Sequence, residues 1–173
     1  WTGGGNLPQN YAQTAGAGTS NAGLQFHGTC APTFTNSSDS NEYDGTSWSA
    51  GGTVINQGTQ LAGTGTQDSA LAIGGFNRSC CTEEYDGTSW SSLIAFPVSR
   101  CRLAAAGTVN AGLAFVGYPS STRTYSYDGI SWEEVNCLNT FRCGLGGAGI
   151  QNSALAFGGY SNSGLLGSTN YYD

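Results

Sequence analysis

The sequence predicts an all-β fold, a β-propeller of four four-stranded blades in one domain over residues 1–173, and three observations predict it. All four tryptophans fall in one frame, Trp1, Trp48, Trp90 and Trp132, spaced by 47, 42 and 42 residues. Glycine fills 28 of the 173 positions and recurs every few residues, which removes helix almost everywhere, since each costs about 1 kcal/mol in a helix interior. Between the glycines, large and small apolar residues alternate with the period of two that marks strands packed on both faces. An internal repeat of this length and register means a propeller or a solenoid.

The elements of each unit follow in order. The first strand is almost all small, LAGTG at 61–65, with LAAAG and LGGAG as later copies, and closes on Gly18, Gly65, Gly107 or Gly149. The second is ALAIGG at 70–75, GLAFVG at 112–117 and ALAFGG at 154–159; it closes on Gly28, Gly75, Gly117 or Gly159. A loop of variable length then leads to the third, which ends in YDGTSW at 43–48 and 85–90 and YDGISW at 127–132. Its Asp-Gly pair makes a hairpin turn, because glycine accepts positive φ and the Asp side chain holds the turn amides. The tryptophan opens the fourth strand. A further copy begins at Tyr172-Asp173, so the strand opened by Trp1 is expected to complete the last blade and close the ring, or to do the same in a neighbouring chain.

Composition narrows the partners. Only 9% of residues are charged, with no lysine, five arginines and eleven carboxylates for a net charge of −6. Tracking a nucleic-acid backbone needs clustered Lys and Arg, which excludes nucleic acid as a partner. No apolar run approaches the roughly 20 residues of a membrane-spanning helix, so no membrane insertion is expected. Disorder is excluded by 12% aromatic residues at fixed spacing.

The glycine doublet, then a tyrosine, then a tryptophan a few residues on, repeated along the whole chain, resembles kelch-type β-propeller repeats. The resemblance implies four-stranded blades and leaves function open, because such propellers serve as binding platforms, structural modules and occasionally enzymes. The Tyr-to-Trp connection is shorter than in kelch repeats, and four units are fewer than the roughly six or seven of that family. The compact YDGTSW form also resembles repeats of uncharacterised phage structural and environmental bacterial surface proteins, which implies an extracellular or virion-surface, non-enzymatic role.

An up-and-down blade sorts its connections onto two faces. Cys30, Cys80, Cys81, Cys101, Cys137 and Cys143 all map to the loop face. Their even number, without CxxC or Cys/His spacing, predicts disulfides and an oxidising compartment. Neighbouring-blade geometry favours Cys30 with Cys80, Cys81 with Cys101, and Cys137 with Cys143, among 15 possible pairings. Arg78, Arg100, Arg102, Arg123 and Arg142 map to the same face, beside the aromatics Phe34, Tyr118 and Tyr160. Asp44, Asp68, Asp86, Asp128 and Asp173 make the opposite face acidic. Asn36 and Asn77 head N-x-S/T tripeptides in loop-face connections and are glycosylation candidates.

No catalytic residue, metal ligand set or cofactor motif emerges. His27 is the sole histidine, so a multi-imidazole metal site is impossible, and a satisfied strand-end histidine is expected. The pairs Glu83-Glu84 and Glu133-Glu134 are adjacent in strands and point to opposite faces, so neither forms an acid/base dyad; both are expected on solvated strand edges. Two function classes remain. One is a structural subunit that joins copies of itself head to tail, basic face on acidic face, in a filament or virion appendage. The other is a lectin-like or receptor-binding module that holds glycan or protein on the loop face.

Overall fold

The computed structural model describes residues 2–77, 80–119 and 121–173. Among the described residues there is no helix, and four main antiparallel sheets follow one another in chain order. The first holds Ala15–Gly18, Gly23–Phe26, Ser40–Tyr43 and Trp48–Ala50. The second holds Ala62–Gly65, Ala70–Ile73, Thr82–Tyr85 and Trp90–Ser92, and the third Ala104–Thr108, Ala111–Phe115, Thr124–Tyr127 and Trp132–Val135. The fourth has three strands among the described residues, Gly146–Ile150, Ser153–Phe157 and Thr169–Tyr172. Two small sheets bring the number to six where the repeat count predicts four: Tyr11–Ala12 with Thr29–Cys30 and Thr35–Asn36, and Tyr160–Ser161 with Gly164–Leu165. Both arise where the connection after the second strand is long enough to fold back on itself.

The repeat signature sets the register. Tyr43 faces Trp48, Tyr85 faces Trp90 and Tyr127 faces Trp132 across the Asp-Gly turns. The ring centroids of these pairs lie 5.0, 5.1 and 4.8 Å apart. In the second turn Asp86 Oδ1 accepts the amides of Thr88 at 2.9 Å and Ser89 at 2.8 Å. Asp44 and Asp128 do the same in theirs.

Neighbouring sheets pack face to face, and their first strands stand side by side in a row, Ala15–Gly18 against Ala62–Gly65, then Ala104–Thr108, then Gly146–Ile150. Small residues are required there. A Cβ on Gly63 would lie 2.6 Å from both the Gly16 carbonyl oxygen and Phe26 Cζ, and one on Gly147 would lie 2.7 Å from Phe115 Cζ. Further out, Leu24, Phe26 and Trp90 fill the first junction, Leu71, Ile73 and Phe96 the second, and Leu113, Phe115 and Ala154 the third.

A backbone ladder runs across all four sheets. The Gln60 amide donates to the Gln13 carbonyl at 3.3 Å, Arg102 to Gln60 at 2.7 Å and Gly144 to Arg102 at 2.9 Å. The four residues occupy one repeat position, and all are left-handed, with φ of 56°, 57°, 56° and 63°. Three of them carry side chains, in a region that L-residues with a Cβ occupy at a cost.

The expected closure by the N-terminal strand is corrected. Among the described residues, the first and last of the inner strands do not pack on each other as neighbours in the row do, and Thr169–Tyr172 pairs on one side only, with Ser153–Phe157. Bulky side chains between outer strands and small ones between inner strands set a wedge at each junction. Three such wedges do not bring the ends of the row together. Trp1 lies outside the described residues.

Candidate functional site

The loop face does not carry the predicted staples. All six cysteines stand as free thiols in the structure, so none of the three expected pairs is formed. Sharing a face does not put Cβ atoms within the roughly 3.5–4.5 Å a disulfide needs. Cys101 and Cys143 occupy one repeat position, buried, each bridged by backbone to an aromatic, Tyr118 and Tyr160. Burial pushes the Cys101 thiol pKa up. Cys137 is exposed, and Cys30, Cys80 and Cys81 are half-buried.

The arginines are engaged inside the chain. Arg102 donates from Nε to Gln60 Oε1 at 2.7 Å and from Nη1 to the Tyr160 hydroxyl. Arg100 donates to the Pro119 carbonyl, and Arg123 pairs with Glu134 at 3.4 Å. Arg142, expected on the surface, is 1% exposed. Its Nη1 reaches the carbonyls of Gly158 at 3.2 Å and Ser168 at 2.8 Å, and its Nη2 reaches Ser168 Oγ at 2.9 Å and Asn170 Oδ1 at 2.6 Å. It therefore holds the long connection of the fourth sheet in place and presents nothing to a partner. Arg78 lies outside the described residues, as does Ser79 of the second glycosylation tripeptide.

Asn36 is half-buried in a small sheet opposite Thr29, while Asn77 is exposed. Phe34 is an exposed loop residue. Tyr118 lines an open basin on the loop face with Phe76, Arg100, Cys101 and Pro119, about 570 Å³ of empty space. Phe76, Tyr118 and Tyr160 share one repeat position, a row that the sequence reading caught only in part.

His27 and Glu83 form a feature the sequence did not predict. Both are 0% exposed, and His27 Nε2 lies 3.9 Å from Glu83 Oε2, first sheet to second. Glu83 also accepts the Asn56 amide at 3.0 Å, Asn56 Nδ2 at 2.9 Å and the Ile55 amide at 3.3 Å. The expectation of a solvated Glu83 is thus corrected, because its strand is covered by the preceding sheet and the connection that follows it. Nothing from solvent reaches this pair, so its geometry serves the junction.

Asp44, Asp68, Asp86, Asp128 and Asp173 are all exposed. Backbone amides of the turns hold the carboxyls of Asp44, Asp86 and Asp128 below the usual range. These carboxylates spend their lone pairs on their own turns.

The fourth sheet differs most from its fellows. Leu155 and Phe157 are 40% and 43% exposed, whereas Leu24, Phe26, Leu71, Ile73, Leu113 and Phe115, at the same repeat positions, are all 2% exposed or less. Tyr171, facing Leu155 across the sheet, is also exposed. On the other face of this sheet, toward the third, an open cleft with about 390 Å³ of empty space is lined by Leu113, Phe115, Leu138, Ala154, Ala156 and Tyr172, among others. No protein-family model matches this chain, and no curated protein matches it either.

Proposed function

We propose that this protein is a non-enzymatic, extracellular structural subunit, a row of kelch-like propeller blades that joins copies of itself head to tail in a filament or virion appendage. The exposed face of the fourth sheet carries the proposal. Every earlier sheet buries its Leu and Phe or Ile under the next sheet, and the fourth offers Leu155 and Phe157 uncovered. A second copy's first sheet is the surface built to cover such a face: its Trp48 is half-buried and takes the place over Phe157 that Trp90 takes over Phe26. Its Gln13 amide would continue the ladder onto the Gly144 carbonyl. A heterologous contact of this kind makes a ring where its rotation closes and a filament where it does not.

Sheet-on-sheet contact replaces the stacking of basic on acidic faces, since the described arginines and three of the turn carboxylates are engaged internally. A closed four-bladed ring within one chain would cover the same face; the unclosed row of inner strands favours contact between copies. Electron micrographs of the purified protein test the proposal: rings or filaments are expected, and dispersed single particles at high concentration would contradict it.

The glycan-binding alternative draws support from the loop-face basin, where Phe76 and Tyr118 are 55% and 54% exposed beside Arg100. Flat aromatic faces next to a cation suit a sugar. A glycan array separates the two: a specific sugar signal lost in Tyr118→Ala favours binding, and none favours assembly.

A further inference from the structure

We infer that the loop-face basin between the second and third sheets, lined by Phe76, Arg100 and Tyr118, is a binding site for an acidic sugar, a pyranose ring that carries a carboxylate. The inference rests on the glycan-binding reading above and names its ligand class; it holds whether or not copies of the chain assemble. Backbone hydrogen bonds fix the walls of the basin. The Gly75 amide donates to the Arg100 carbonyl at 2.8 Å, which ties the residue before Phe76 to the arginine. The next residue, Cys101, exchanges amide and carbonyl with Tyr118 at 3.0 and 2.7 Å, and Phe76 does the same with Thr59 at 2.7 and 3.4 Å. These main-chain groups are already paired, so an extended peptide added as a strand has little to gain from them. Recognition falls to side chains: Phe76 and Tyr118, 55% and 54% exposed, with the exposed Asn77 and Ser99 and the half-buried Arg100. The empty space of about 570 Å³ lies within the roughly 300–1,000 Å³ of small-ligand sites.

The other junctions show what is particular to this one, since the same scaffold bond recurs in them: Gly28 to the Gly58 carbonyl at 3.1 Å and Gly117 to the Arg142 carbonyl at 3.3 Å. The first junction sets Thr29, Gly58 and Phe76 where the second sets Phe76, Arg100 and Tyr118, so it lacks one ring and the cation. The third restores the residue types with Tyr118, Arg142 and Tyr160. There, however, Arg142 is 1% exposed and bonded into residues 158–170, and the Tyr160 hydroxyl accepts from Arg102. Among the described residues, the second junction alone sets two exposed rings around an arginine that is not buried.

Arg100 decides the charge of the ligand. Among the described residues it donates through Nη1 to the neutral Pro119 carbonyl and pairs with no carboxylate, whereas Arg123 is matched by Glu134 at 3.4 Å. A half-buried guanidinium in that setting has given up part of its hydration without gaining a counter-charge. A carboxylate supplies one, in the two-pronged geometry that arginine favours. The rings decide the rest, because the C–H groups of a pyranose are drawn to the negative faces of aromatic rings. A small inorganic anion would engage the arginine and leave both rings uncovered.

The test presents the native chain with an array of uronate- and sialate-terminated glycans, each beside its carboxyl-reduced neutral counterpart, and titrates the strongest pair in solution. The inference predicts at least tenfold tighter binding of the acid than of its counterpart. Tyr118→Ala should weaken both at least tenfold. Arg100→Gln should remove the preference for the acid while its circular dichroism stays native, and Arg100→Lys, which keeps the charge, should retain it. Equal affinity for acid and counterpart in the native chain, or a preference that survives Arg100→Gln, would overturn the acidic class and leave the glycan-binding reading standing. Displacement of the glycan by inorganic phosphate at equal concentration would overturn it as well, by making the basin a general anion site. Binding unaffected by Tyr118→Ala would move the sugar out of the basin. An array without signal would overturn the glycan-binding reading, and the inference with it.

Discussion

The indole of Trp90 lies over the ring of Phe26 with 4.9 Å between centroids, joining the second sheet to the first. Phe26 is 0% exposed, and its counterpart Phe157 in the fourth sheet is 43% exposed. The same residue at the same repeat position is thus core at one end of the row and surface at the other. Phe26→Ala is expected to cost about 3–5 kcal/mol of stability, whereas Phe157→Ala measured on dilute protein should cost under about 1 kcal/mol. Urea unfolding of both variants checks the difference, and equal losses would mean that Phe157 is buried in solution.

Glu83 and His27 hold the first junction without contacting solvent. Removing the carboxylate in Glu83→Ala leaves the Asn56 amide and side chain without the acceptor they share and takes away the buried partner 3.9 Å from His27 Nε2, a loss of about 3–5 kcal/mol. Glu83→Gln keeps the shape and one carbonyl acceptor and should lose less. Denaturant midpoints in the order native, Gln, Ala are expected.

The Tyr85 hydroxyl donates to the Glu42 carboxylate across the same junction, and burial together with that bond pushes its pKa up from 10.0 to about 12. Below pH 10 both folded and unfolded chains keep the proton, so the stability it brings is fully present. Between pH 10 and about 12 the unfolded chain releases its proton first, and stability falls. Tyr85→Phe should flatten that part of the alkaline stability profile; an identical slope in both proteins would place the titration elsewhere.

Arg142 is the one fully buried arginine among the described residues, with four hydrogen bonds into residues 158–170. Arg142→Met fills similar volume but gives up four hydrogen bonds whose acceptors at Gly158, Ser168 and Asn170 are half-buried or exposed, at about 0.5–1.5 kcal/mol each. Proteolysis should then cut the fourth sheet's long connection before the rest of the chain.

Strand order within the main sheets and turn chemistry were legible because each rests on local residues that recur: the Asp-Gly turn, the Tyr-Trp pair and the doublet glycines. The left-handed ladder was hidden, since Gln13, Gln60 and Arg102 do not look like residues of positive φ, and only Gly144 at the same position does. Glu83 and Arg142 were misplaced for a related reason. A charged residue reads as surface when its partners, Asn56 and His27 or Ser168 and Asn170, come from another sheet or a distant loop. Closure failed as an expectation because equal repeat lengths fix the order of the sheets and say nothing of the angle between them.

The most direct test is sedimentation velocity of the native chain and of Leu155→Ser/Phe157→Ser across a hundredfold or wider range of concentration. Covering the remaining area of each side chain is worth about 1 kcal/mol, so the double variant should associate about 30-fold more weakly, while its circular dichroism stays that of the native protein. Native protein that sediments as a monomer throughout, or a double variant that assembles as the native chain does, would contradict the claim that the fourth sheet is a joining surface.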